Sequence, residues 1–113
     1  MSRYALPLRG YEDFSVWGFD ELDATYYAQL WRNESDPDDD PDVRLNWLTG
    51  RQPIGSASRL AVMIAARTGV QLPWVLRAMG SAKSAPDADS LTGLADLVAA
   101  DAATNLARGT SKP

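Results

Sequence analysis

Cysteine and histidine are both missing from this 113-residue chain, and the two absences remove much chemistry at once. Without cysteine there is no disulfide, no thiolate metal site and no sulfur nucleophile. The lack fits a cytoplasmic address, where disulfides are rare. Without histidine the commonest general base and the commonest metal ligand are gone. Long apolar runs are missing too. The longest, Leu60 to Ala66, falls far short of the ~20 residues that span a bilayer, so no membrane partner is expected. The segment Met1 to Pro7 has one arginine and no apolar stretch, unlike a signal peptide. Gly50 to Gly55 has neither the spacing nor the lysine of a phosphate-binding loop. The carboxylates that remain for acid–base work fall in a proline-broken loop or on helix surfaces, with nothing to desolvate them. No catalytic residue, no metal and no cofactor are therefore expected, and the chain reads as a non-enzyme.

What is present describes one globular domain: 45% hydrophobic and 23% charged residues, at a length that buries one real core. The net charge of −4 conceals a division. Residues 1–42 hold eleven acids against Arg3, Arg9 and Arg32, a net of −8, whereas residues 43–113 are net +4. Val43 to Ala85 contains no acid and six bases: Arg44, Arg51, Arg59, Arg67, Arg77 and Lys83. Such asymmetry bears on partners rather than on fold.

The hydrophobic period changes midway. Residues 1–13 form an arm broken by Pro7 and Gly10. Phe14 to Asp20 and Thr25 to Arg32 are short, aromatic and β-branched around a polar link, which predicts an antiparallel hairpin. Two prolines and five acids make residues 33–41 a loop, and the alternation of Val43 to Leu48 predicts a third strand. Beyond it, Ser56 or Ser58 caps a helix running to Thr68, with Gly69 as its stop. Pro73 opens a second helix that ends near Met79 before Gly80. Asp89 or Ser90 caps a third, Leu91 to about Ala107, leaving residues 108–113 to fray. The expected fold is α+β: a three-stranded antiparallel sheet over 14–48, covered by about three helices over 56–107.

Two segments carry resemblances. The hairpin Tyr11 to Trp31, with Gly18-Phe19-Asp20 and Tyr26-Tyr27-Ala28-Gln29-Leu30-Trp31, resembles small bacterial proteins of unknown function from actinobacteria and mobile elements. It spans about the first third of the chain and implies no activity. Residues 60–80 resemble the helix-turn-helix of bacterial repressors: Ala65 inside the first helix, Gly69 at the turn, then Val70 and Val75 to fill the angle between the helices. That resemblance implies duplex DNA as a partner, contacted by Arg59, Arg67, Gln71 and Arg77. Leu72 and Leu76 would then also face the groove, where leucines read base edges poorly. The same hairpin can simply pack on the sheet, or it can present Leu72, Trp74, Leu76 and Arg77 to another protein.

The loop Asp36-Pro-Asp-Asp-Asp-Pro-Asp42 has the alternate carboxylates of a calcium loop. Neither register supplies its glycine or its distal glutamate, since Val43 and Thr49 or Pro41 and Trp47 stand there. It reads as a solvated acidic loop in which Asp38, Asp39 and Asp40 offer a second surface, toward a basic partner or in imitation of nucleic acid. The aromatics Trp17, Phe19, Tyr27, Trp31 and Trp47 have acidic neighbours that oppose a polyanion, so core packing is the better account. The alanine-rich helix 91–107 either docks on the sheet or pairs with a second copy. Taken together, the sequence favours a small non-catalytic binding or regulatory protein acting through a protein–protein interface. The alternatives are a DNA-binding regulator and an acidic nucleic-acid mimic.

Overall fold

A computed structural model describes residues 2–46, 48, 52–82, 85 and 88–111, with side chains as far as residue 100. The fold is α+β: among the described residues, four antiparallel strands and then, from Ala57, three helices. The strands are β1 (Tyr4–Ala5), β2 (Val16–Asp20), β3 (Thr25–Leu30) and β4 (Val43–Leu45), in the spatial order β1-β2-β3-β4. The helices are α1 (Ala57–Thr68), α2 (Leu72–Gly80) and α3 (Ala88–Ser111). The expected hairpin is β2–β3, with Val16 opposite Gln29 and Asp20 opposite Thr25. Its turn is held by Asp20, whose Oδ1 accepts from the backbone N–H groups of Leu22 and Asp23.

The sheet has one strand more than the sequence predicts. Residues 4–5 of the arm pair with β2, Tyr4 opposite Trp17 and Ala5 opposite Val16, and the Tyr4 ring lies 5.1 Å from that of Trp17. A two-residue strand is too short to show alternation; its partner across the sheet creates it. At the other edge β4 stops at Leu45 rather than Leu48, and Trp47 lies outside the described residues.

Register sorts the side chains between two faces. Trp17, Ala28, Leu30, Val43 and Leu45 point into the core, where Leu60, Ile64, Val75, Leu76 and Met79 of the helices meet them. Ser56 caps α1 by accepting from the Arg59 N–H, and Gly69 ends it in the left-handed conformation at φ 76°. An added Cβ there would be strained, so the turn into α2 depends on glycine. Helix α3 begins at Ala88, earlier than expected, which puts Asp89 in its first turn. Leu91 and Ala95 are buried in the shared core, with Leu94 and Val98 against it. Of the two roles open to this helix, docking within the chain is what Leu91 and Ala95 do, and Leu97 is left exposed. Among the described residues no helix is long and apolar enough to cross a membrane.

The opposite face of the sheet carries a small cluster of Val16, Tyr27 and Trp31, with Phe14 beside it. Ser2 crosses this face at Gly18. Its hydroxyl accepts from the Phe19 N–H at 2.8 Å, and its carbonyl accepts from the Tyr27 hydroxyl at 2.7 Å. A Cβ on Gly18 would overlap the Ser2 carbonyl. Burial is the main cause that raises the Tyr27 phenol above its ordinary value of 10.0, with Arg3 acting against it and Asp20 with it. The folded phenol therefore holds its proton more tightly than the unfolded one. Its contribution to stability is complete below about pH 10 and is lost as pH rises through the raised folded value. Gly18→Ala is expected to lift Ser2 off the sheet at a cost of about 1–3 kcal/mol. It should also return Tyr27 toward ordinary titration as water reaches it. Ultraviolet titration of the variant beside the parent checks this; an unshifted Tyr27 would mean that the Ser2 strap does not bury the phenol.

Candidate protein-binding groove

Helix α2 has one outward face. Val75, Leu76, Ala78 and Met79 are buried, whereas Trp74 and Arg77, three positions apart and so on one side, are exposed. Trp74 keeps 58% of its surface in water. A helix nine residues long that packs on both α1 and α3 has little surface to spare, so a tryptophan left there is unusual for a core helix.

The exposed indole forms one wall of a cleft of about 470 Å³. Val70, from the α1–α2 turn, and Pro7, Leu8 and Arg9 of the arm complete the lining. The arm is held there by pairing with β2: the Leu6 N–H donates to the Ser15 carbonyl, and Leu8, buried, accepts from the Tyr11 N–H. The cleft is largely apolar, has no acid among the described residues of its lining and includes Arg9. The Arg77 guanidinium sits 5.4 Å from the centre of the Trp74 ring, within cation–π range. One of its nitrogens also reaches Asp96 of α3 at 3.2 Å, with the two side chains 41% and 68% exposed. An ion pair this open to water contributes little stability.

The residues expected from the sequence at this site separate into groups. Trp74 and Arg77 stand together at the surface. Leu72 is half-buried and packs against the core. Leu76 is a correction: it is fully buried, because α2 turns it toward the core side that Val75 and Met79 share, so it anchors the fold and offers nothing to a partner. Arg59, Arg67 and Gln71 are exposed, Arg67 in the last turn of α1 and Gln71 at the N-cap of α2. Pro7, Leu8 and Arg9 carried no signal as site residues, since their convergence on Trp74 is a long-range contact, whereas Val70, four positions before it, stood out only as a residue of the turn.

The acidic loop is built rather than loose. The Asp39 carboxylate accepts from the Asp36 N–H and its carbonyl accepts from the Trp31 indole. Asp42 accepts from the Arg32 N–H at 2.7 Å. Asp38 and Asp40 remain exposed. Among the described residues, no three carboxylates come together in a way that would hold a metal ion. On the outer sheet face a second cleft, of about 330 Å³, mixes Arg3 and Arg44 with Asp20, Asp23 and Tyr27. Asp20 and Tyr27 there already serve the hairpin turn and Ser2.

No family model, curated protein or solved structure matches the chain.

Proposed function

We propose that this chain is a small non-catalytic binding protein that engages another protein through the groove around Trp74. The observation that carries the reading is the exposed tryptophan itself, stacked against Arg77 at the mouth of an apolar cleft. Tryptophan and arginine are enriched at the energetic centres of interfaces, most of all where a cleft lets an anchor be fully desolvated. The test is selection of a displayed random-peptide library on the full chain and, in parallel, on Trp74→Ala. Enrichment of peptides that the variant fails to retain is expected, with affinity lowered by at least ~30-fold, the usual mark of a central anchor. Peptides indifferent to Trp74, or no enrichment at all, would sink the proposal.

A second reading, DNA binding, draws on the left-handed Gly69 between α1 and α2 and on the exposed Arg59, Arg67 and Gln71. Against it, the outward face of α2 carries a bulky indole beside Arg77, which suits a desolvated protein surface better than the polar edges of bases. Duplex titration at two salt concentrations separates the readings. Steeply salt-sensitive binding whose slope falls by about one in Arg77→Ala would replace the protein partner with DNA.

A further inference from the structure

The groove also indicates what kind of segment fills it. Among the described residues its lining has no acid and contributes Arg9, and Arg77 stands beside Trp74. The groove's helical wall, Val70 and Trp74, belongs to the stretch Val43 to Ala85, from which acidic residues are absent, although the whole chain is net negative. Asp96 reaches Arg77 from the neighbouring helix through a single guanidinium nitrogen. A guanidinium offers five donors in a planar fork suited to a carboxylate taken by two bonds. Asp96 thus uses a small part of Arg77's capacity, in an exposed pair that exchanges at little cost.

Building on the protein-binding reading, we propose that the partner is a peptide segment with a bulky apolar side chain next to a carboxylate. The apolar group packs on Trp74, Val70 and Leu8, and the carboxylate takes the Arg77 fork. Asp96 is the internal stand-in for that carboxylate: it holds the arginine over the indole in the free chain and yields it on binding. Arg9, across the groove, draws the acidic segment in at low ionic strength. Because α2 supplies anchor and cation three positions apart, the two requirements are met within one short stretch of the partner. An apolar segment without the acid leaves Arg77 with Asp96 and gains only the hydrophobic contact.

The experiment continues from the peptide selection. Peptides that depend on Trp74 are sequenced for acidic residues, and the strongest is titrated by fluorescence anisotropy against the parent chain, Arg77→Gln and Asp96→Asn. Acid enrichment beside the apolar anchor is expected, with binding weakened roughly tenfold by Arg77→Gln and strengthened about threefold by Asp96→Asn. Both effects should shrink at high salt. Unchanged thermal unfolding of Arg77→Gln shows that the loss is not one of folding. Trp74-dependent peptides without acids, or indifferent to Arg77→Gln, would overturn the acidic partner while leaving the groove as the binding site. Weaker binding to Asp96→Asn would overturn the stand-in role. A selection with no Trp74-dependent peptides would remove the groove reading and this one together.

Discussion

Leu76→Ala is expected to cost about 2–5 kcal/mol of stability, the range for deleting a fully buried leucine and leaving part of its volume empty. A domain of this size has roughly 5–15 kcal/mol in all, so the loss would move the urea midpoint well down with the slope unchanged. Two positions away, Trp74→Ala is expected to stay within about 1 kcal/mol. It gives up a cation–π contact and a partly buried ring and opens no cavity. The contrast rests on helical rotation. Leu76 shares the core side of α2 with Val75 and Met79, while Trp74 and Arg77 lie outside. Urea denaturation of both variants decides it. Comparable small losses would mean that Leu76 does not anchor the core side of α2 and that Trp74 is not its outward residue. The same pair of variants separates folding from binding: Trp74→Ala should lose peptide affinity while keeping the fold, which is the condition for using it as a probe of function.

The leucine also shows where the sequence stops being legible. Residues 72–79 read Leu-Pro-Trp-Val-Leu-Arg-Ala-Met, apolar nearly all round. Composition alone cannot rank Trp74 against Leu76 as the exposed member, and the packing of α1 and α3 on this helix decides it. Local features fare better. Gly69 as a turn, Ser56 as a cap and the β2–β3 hairpin each depend on residues within a few positions of one another, where propensity and period act directly. The two-residue β1 is invisible because its strand character exists only when Trp17 and Val16 lie beside it. The groove is invisible for the same reason at longer range: Arg9 and Trp74 are far apart in sequence, and a lone Pro-Leu-Arg in an arm announces nothing. Trp74 and Arg77 could be singled out from their residue types; their neighbours could not.

The second large effect is expected at Trp31, and it decides what the acidic loop is. Trp31 is buried on the outer face of the sheet, its ring 5.3 Å from that of Phe14, with Val16 and Tyr27 alongside. Its indole N–H donates to the Asp39 carbonyl at 2.7 Å, so one side chain both fills the small outer cluster and ties the loop to the sheet. Trp31→Ala is expected to cost about 3 kcal/mol or more, from the lost aromatic packing and the hole beneath the loop. It should also release residues 33–42, making them a preferred site for a protease that cuts beside acidic residues. Trp31→Phe keeps one aromatic ring against Phe14 but loses the five-membered ring and its N–H donor, so it should lose about 1–3 kcal/mol and still expose the loop. The neutralisations Asp38→Asn and Asp40→Asn remove exposed charges and should fall within about 0.5 kcal/mol of the parent. If Trp31→Phe leaves the loop resistant, the carboxylate bonds of Asp39 and Asp42 to backbone N–H groups are sufficient to hold it. If the loop opens, the presentation of Asp38 and Asp40 to any basic partner depends on a residue whose hydrogen bond goes to the Asp39 carbonyl between them. The carboxylates would then act as a surface only while the sheet beneath keeps its indole.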